Sequence, residues 1–173
     1  MKSADDKTFR LTLLNHLANE IRGTVYRQTM FAEFEKNIHA DLEQGIPLTA
    51  DSLSEKYYKL NAEYYPGIKK PDEKIKMEWA RIPHFYYNFY VYKYATGFSA
   101  AAALAKGILS GNTTRIDAYL NFLKAGSTKD VLDILKDAGV DLSTPAPVDD
   151  ALKFFKEIVE QIAEETGVSA ECK

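Results

Sequence analysis

Two features of the sequence predict an all-α fold. Proline and glycine fall between the apolar runs, and outside one aromatic stretch nothing alternates with period two over the length of a strand. Between those breakers, apolar residues recur every three or four positions, the period of a helix with one buried face. A third feature organises the array. Within Trp79 to Ser110, the only charged residues after Arg81 are Lys93 and Lys106, and Phe85 to Tyr94 holds seven aromatic residues in ten positions. So little charge in a chain that is 27% charged predicts shelter from water on most sides. Buried phenols need hydrogen-bond partners, however, and most of these aromatics are tyrosine. The stretch is therefore read as a central aromatic- and alanine-rich helix, one side in the core and the other in a wet cleft.

Asp5-Asp6 starts a first helix through Phe9, Leu13, His16 and Leu17, with acidic residues at the end where the helix dipole favours them. Gly23 either bends or breaks it. From Arg22 a second helix carries Tyr26, Met30, Phe34, Ile38 and Leu42 at four-residue spacing, a single ridge for packing, until Gly45 and Pro47 end it. Thr49, or Ser52 with Glu55, caps a third helix through Leu53, Tyr57, Leu60 and Tyr64. Pro66-Gly67 stops that helix, Pro71 starts another through Ile75 and Trp79, and Pro83 breaks the chain before the aromatic run.

The Ala100–Ala103 run favours helix over strand for the central segment, although Tyr90, Tyr92 and Tyr94 alternate. Its small residues allow close helix approach, so a bulky side chain at Ala101 or Ala102 is expected to overpack. Shorter units follow. One runs from Thr113 through Ile116, Leu120 and Leu123 to Gly126; the next is capped by Ser127 with Asp130 and ends at Gly139. Pro145 and Pro147 lead into a last helix with Leu152, Phe155, Val159 and Ile162 on one face. With no repeat and no linker long enough to separate domains, residues 1–173 are expected to form a single helical domain.

A net charge of −3 and a pI near 5.7 argue against nucleic acid or an anionic membrane as partner. The longest uncharged run is too short to span a bilayer, and the N-terminus lacks the apolar core of a signal peptide. The single cysteine, Cys172, supports neither a disulfide framework nor a Cys-based metal site, and a cytoplasmic setting is expected.

Three histidines bound the chemistry. His16 with Glu20, and His39 with Glu43, stand one turn apart and could bind a metal weakly, but no HExxH, GxSxG or phosphate-binding loop is present. His84 differs, because it follows Ile82-Pro83 at a junction beside several phenols. A neutral imidazole and a tyrosine hydroxyl can both donate to a developing oxyanion. The same residues could equally satisfy buried backbone and pad a core.

Three stretches carry a family resemblance: RGTVYRQTMFAEFEKNIH (Arg22 to His39), LTADSLSEKYYKLNAEYY (Leu48 to Tyr65) and WARIPHFYYNFYVYKYATGFSAA (Trp79 to Ala101). They resemble the C-terminal part of oligoendopeptidase F, in the thimet-oligopeptidase-like group of zinc metallopeptidases. The resemblance implies the helical C-terminal portion of a catalytic domain whose zinc is held, upstream of this chain, by HExxH and a later glutamate. Zn2+ is thus expected in the complete family enzyme and none bound by this chain, which should be inactive by itself.

What the resemblance implies for this chain is the wall facing the zinc, acting on an oligopeptide substrate. His84 matches the family's histidine and Tyr92 its distal tyrosine. Tyr87 or Tyr86 matches the proximal tyrosine, with Tyr87 preferred, and Tyr86 and Tyr90 are candidate substrate-binding residues. Arg22, Arg27 and Gln28 fit packing roles. Such a chain would be an excised fragment, a truncated gene product or half of a split enzyme. Its partner would be the upstream zinc-bearing half, or a second copy covering an exposed tyrosine-rich face. The alternatives are a non-catalytic helical module that binds peptides or proteins, and a metal-binding protein using His16, Glu20, His39 and Glu43.

Overall fold

A computed structural model describes residues 6–67 and 72–168. All regular structure among these residues is helical, as the breaker pattern predicts. Seven α-helices occur in the order α1 (Lys7–Ile21), α2 (Arg27–Glu43), α3 (Ala50–Tyr64), α4 (Tyr92–Leu109), α5 (Thr113–Ala125), α6 (Val131–Asp137) and α7 (Ala146–Thr166). A π-helical turn, Arg22–Tyr26, joins α1 to α2, and two 3₁₀ helices, Glu73–Arg81 and Pro83–Tyr86, precede α4. The chain packs as two compact units, one of Arg22–Ala95 and the other of the described residues of Met1–Ile21 and Thr96–Glu171.

In the Arg22–Ala95 unit, α2 and α3 pack together over Met30, Phe31, Phe34, Tyr57 and Leu60, which are buried with Ile82 and Val91. The rings of Phe34 and Tyr57 meet edge to face, centroids 5.2 Å apart. The four-residue ridge expected on α2 is buried only in its middle. Met30 and Phe34 are inside and Ile38 packs against the core, but Leu42 in the last turn is 62% exposed. The buried strip widens through Phe31 and Glu35, one position on from the ridge. Gly23 neither breaks the helix nor ends it; the backbone widens into the π turn instead. Thr49 is the cap of α3, its hydroxyl accepting from the Ser52 amide while the Ser52 hydroxyl accepts from the Thr49 amide.

In the other unit, Ala100, Ala103 and Leu104 of α4 pack with Ala138 and Val140, bordered by Tyr119, Phe122 and Leu135. Its α1 and α7 also pack together, and Arg10 of α1 pairs with Glu165 of α7. Asp6 caps α1 by accepting from the amides of Thr8 and Phe9; Asp5, Pro71 and Cys172 lie outside the described residues.

Three local expectations are corrected here. The small residues of α4 that are buried are Ser99, Ala100, Ala103 and Gly107, whereas Ala101 faces outward and Ala102 is only half-buried. The α6 cap is Asp130, whose carboxylate reaches the Leu132 amide, and not Ser127. On α7 the buried strip is Pro147, Ala151 and Ile158, leaving Leu152 exposed; a small alanine can sit in the interface where a leucine would not fit.

Candidate functional site

The long central helix expected from Trp79 onward is interrupted. Ile82 is extended (φ −92°, ψ 99°), as a residue before proline prefers, and Pro83 opens the short 3₁₀ helix that carries His84. After Tyr87 the chain turns through Asn88 and Phe89, both in the left-handed region (φ 43° and 54°), and α4 begins only at Tyr92. Asparagine enters that region readily, but for Phe89 it costs roughly 1–2 kcal/mol. The turn is held from below by α2. The Phe89 amide donates to Glu35 Oε1 across 2.6 Å, and the Phe89 ring packs on His39 with centroids 4.5 Å apart. Val91, fully buried, anchors the other side of the turn.

This interruption gathers rings around His84. Tyr90 lies nearly parallel to the imidazole (22°, centroids 5.4 Å apart). Tyr87 and Tyr94 meet it edge-on, at 6.0 Å and 6.1 Å. Tyr90 and Tyr94 touch each other at 5.5 Å, and a hydrogen bond between their hydroxyls pushes the Tyr94 pKa up. The Lys93 ammonium lies 5.4 Å from the Tyr90 ring centroid, within cation–π reach.

The cluster is open to solvent, contrary to the shelter that the low charge predicts. His84 is half-buried, but Tyr86 is 75% exposed, Tyr87 60%, Tyr92 49% and Tyr90 37%. Polar hydroxyls let tyrosine remain in water, which is why low charge overstates the shelter at this stretch. Of its two phenylalanines, Phe85 turns inward and packs on Phe31 and Phe34, whereas Phe89 on the turn is 44% exposed.

Of the candidate residues, His84, Tyr87 and Tyr90 are brought together. Tyr86 projects from the 3₁₀ helix, and Tyr92 is the first residue of α4. Tyr94 was not singled out from the sequence, yet it is a ring neighbour of His84. A signal for it exists, since His84, Tyr87, Tyr90 and Tyr94 follow one another at spacings of three, three and four. The four residues of the alternative metal reading are not assembled, because among the described residues no three of His, Cys, Asp and Glu come together as a ligand set.

Beneath the same segment lies a buried polar group that sequence reasoning also missed. Glu78, 7% exposed, accepts from Arg27 Nη2 (2.7 Å) and Arg81 Nη2 (2.5 Å) on one oxygen. Its other oxygen accepts from the Tyr57 hydroxyl (2.6 Å). Burial alone would raise the Glu78 pKa, but the hydrogen bonds from Tyr57 and Arg27 and the arginine charge outweigh it and hold the carboxyl below its ordinary range. Burial and the same hydrogen bond push the Tyr57 hydroxyl far up. Arg27 also lies over the Phe31 ring at 4.7 Å, which fits the packing role expected of it. Arg27 and Tyr57 thus tie α2 and α3 to the 3₁₀ helix that leads into Pro83 and His84.

Known proteins can be set beside this geometry. The sequence model of Peptidase family M3 matches residues 1–154. The chain is 48% identical over 164 residues to Oligopeptidase PepF of Bacillus subtilis, covering 95% of this chain and 24% of that protein. It is 45% identical over 157 residues to Group B oligopeptidase PepB of Streptococcus agalactiae, covering 91% of this chain and 26% of that one. The crystal structure of oligoendopeptidase-F from Enterococcus faecium superposes with a TM-score of 0.91 at 46% identity, over 95% of this chain and 32% of that structure. The chain therefore spans about a quarter of the length of the curated relatives it matches. No helix among the described residues is long and apolar enough to cross a membrane. An all-helical architecture, the motif-bearing stretches around His84 and the match over residues 1–154 lead to one conclusion: the chain belongs to peptidase family M3, a family of metallopeptidases.

Proposed function

We propose that this chain supplies the substrate-side wall of a zinc oligoendopeptidase cleft, with His84 and its tyrosines acting on the scissile carbonyl of an oligopeptide. The observation that carries this reading is the solvent-open ring cluster of His84, Tyr87, Tyr90 and Tyr94 on a turn held by α2. An imidazole N–H and a phenol O–H can each donate to a carbonyl oxygen as it gains negative charge, and a donor already held in place does so without reorganising. His84 has that support, because Tyr90 stacks on one face of it while Tyr87 and Tyr94 border its edges. Tyr87 fits the proximal donor better than Tyr86, since its ring borders the imidazole and Tyr86 is the most exposed ring of the group. Tyr92, at the mouth of α4, is assigned as the distal donor, and Tyr86 and Tyr90 as contacts to the peptide.

Zinc, which membership of a metallopeptidase family implies for the complete enzyme, finds no ligand set among the described residues. The contribution of this chain is binding and orientation of the peptide and hydrogen-bond donation to its carbonyl oxygen. The zinc-bearing partner is the segment that precedes this region in the longer relatives.

The test is a chimera in which this chain replaces the matching segment of the Bacillus subtilis oligopeptidase, assayed on an internally quenched oligopeptide. Cleavage that falls about 10²- to 10³-fold in kcat on His84→Ala supports the role. A chimera that cleaves equally well with and without the imidazole rules it out. One that binds the peptide through the tyrosine face but never cleaves it favours a non-catalytic peptide-binding module.

A further inference from the structure

We infer that Glu35 is the positioning residue of the His84 cluster: its buried carboxylate latches the Asn88–Phe89 turn and thereby sets where Tyr87 and Tyr90 stand against the imidazole. Three observations converge on it. The turn holds Phe89, directly after Asn88, at positive φ, a conformation that a bulky side chain keeps only when its surroundings impose it. The contact that imposes it is the 2.6 Å hydrogen bond from the Phe89 amide to Glu35 Oε1, from a side chain with no solvent exposure. One turn further along α2, His39 takes the Phe89 ring, so two residues of one helix face grip the backbone and the side chain of the same residue.

The hydrogen bond that Glu35 accepts comes from the backbone of the turn and not from a ring of the cluster. Its second oxygen, Oε2, is buried without a hydrogen-bond partner among the described residues, so a carboxylate is kept in the core for the sake of one amide. Residues 87 and 90 flank the latched pair directly. Tyr87 borders His84 edge-on and Tyr90 stacks upon it, so a turn released at Phe89 carries both rings away from the imidazole. The consequence for substrate handling rests on the function proposed above, whereas the latch is a property of the chain alone.

The test is nuclear magnetic resonance on the full chain without substrate. In the unmodified protein the Phe89 amide is expected to exchange with solvent at least about 10-fold more slowly than that of Asn88, because it is bonded to a buried acceptor. Equal exchange at the two amides overturns the latch. The ring currents of Tyr90 and Phe89 displace the imidazole signals of His84 and His39. Glu35→Ala is expected to return both signals toward those of free imidazole while His16, on α1, stays unchanged. Glu35→Gln keeps an acceptor at Oε1 and is expected to restore both signals. A Glu35→Ala protein in which His84 does not move contradicts the proposal, and so does a Glu35→Gln protein that behaves like Glu35→Ala. Should Glu35→Ala also displace His16, the Glu35→Gln spectrum and the exchange at Phe89 decide. These readouts require no cleavage, so loss of the latch and loss of the peptidase role are told apart.

Discussion

The Tyr57 hydroxyl donates to Oε2 of Glu78 across 2.6 Å, joining α3 to the 3₁₀ helix that runs up to His84. Two arginines occupy the other oxygen of the same carboxylate. Removing it leaves the buried Tyr57 hydroxyl without its acceptor, while Arg27 and Arg81 still reach solvent. Glu78→Ala is therefore expected to destabilise the fold by about 2–3 kcal/mol, the cost of a lost charge-assisted bond and an orphaned buried donor, with the exposed arginines screened by water. Tyr57→Phe removes a single donor and leaves the arginines paired, so about 1–2 kcal/mol is expected. Urea denaturation of the two variants checks both values, and equal costs would contradict the ranking.

Stability should fall at both ends of the pH scale, for separate reasons. Glu78 is held below its ordinary pKa, so its contribution is present above the unfolded value of about 4.3 and is lost as pH falls through the folded one. At the alkaline end, burial and a 2.8 Å hydrogen bond to Glu33 raise Tyr64 to about 12, and Tyr57 is raised further. Their contributions are complete below the unfolded phenol value of about 10 and decline as pH climbs through the folded ones. Urea midpoints measured from pH 3 to pH 11.5 should trace both limbs. Glu78→Gln should flatten the acid limb and Tyr64→Phe the alkaline one.

Along α4, Ala103→Leu is expected to cost about 1–3 kcal/mol by overpacking against the Ala138–Val140 side of its core. Ala101→Leu, on the outward face, should stay within about 0.5 kcal/mol of the parent. Thermal melts of the pair measure the difference directly.

Gly139 sits at φ 86° under the Arg115 guanidinium, whose Nη1 donates to the Gly139 carbonyl at 3.0 Å. A Cβ there would stand 1.5 Å from that nitrogen, so Gly139→Ala is expected to displace the arginine in addition to straining the backbone. In an Arg115→Ala background only the strain remains, roughly 1–2 kcal/mol. A double-mutant cycle in which the two changes add without coupling would contradict the displacement.

Much of this architecture is legible in the sequence, and what is not has physical causes. Pro66, Pro83 and the glycines after α2 and α5 mark element ends because proline removes a donor and glycine tolerates positive φ. The turn at Asn88–Phe89 is not legible, since neither residue is a glycine and the acceptor that holds it, Glu35, is more than fifty positions away. Sequence separation also hides the Glu78 hub, because Arg27 and Tyr57 reach it from α2 and α3, 51 and 21 positions away. Reading Trp79 to Ser110 as one central helix, half in the core and half in a wet cleft, overstates the shelter at Tyr86 and Tyr87, whose hydroxyls let the rings lie in water. On α7 the helical period is right and the buried face is off by one position, because periodicity does not weigh Ala151 above Leu152.

The measurement that bears most directly on the proposed role is the kcat and KM of the chimeric peptidase, with His84→Ala compared against Tyr92→Phe. Donation to the carbonyl oxygen as charge develops predicts a loss of about 10²- to 10³-fold in kcat for His84→Ala, with KM changed far less, and a smaller loss of the same kind for Tyr92→Phe. A His84→Ala protein that raises KM and leaves kcat untouched would reduce the cluster to a peptide-holding surface and contradict the proposal.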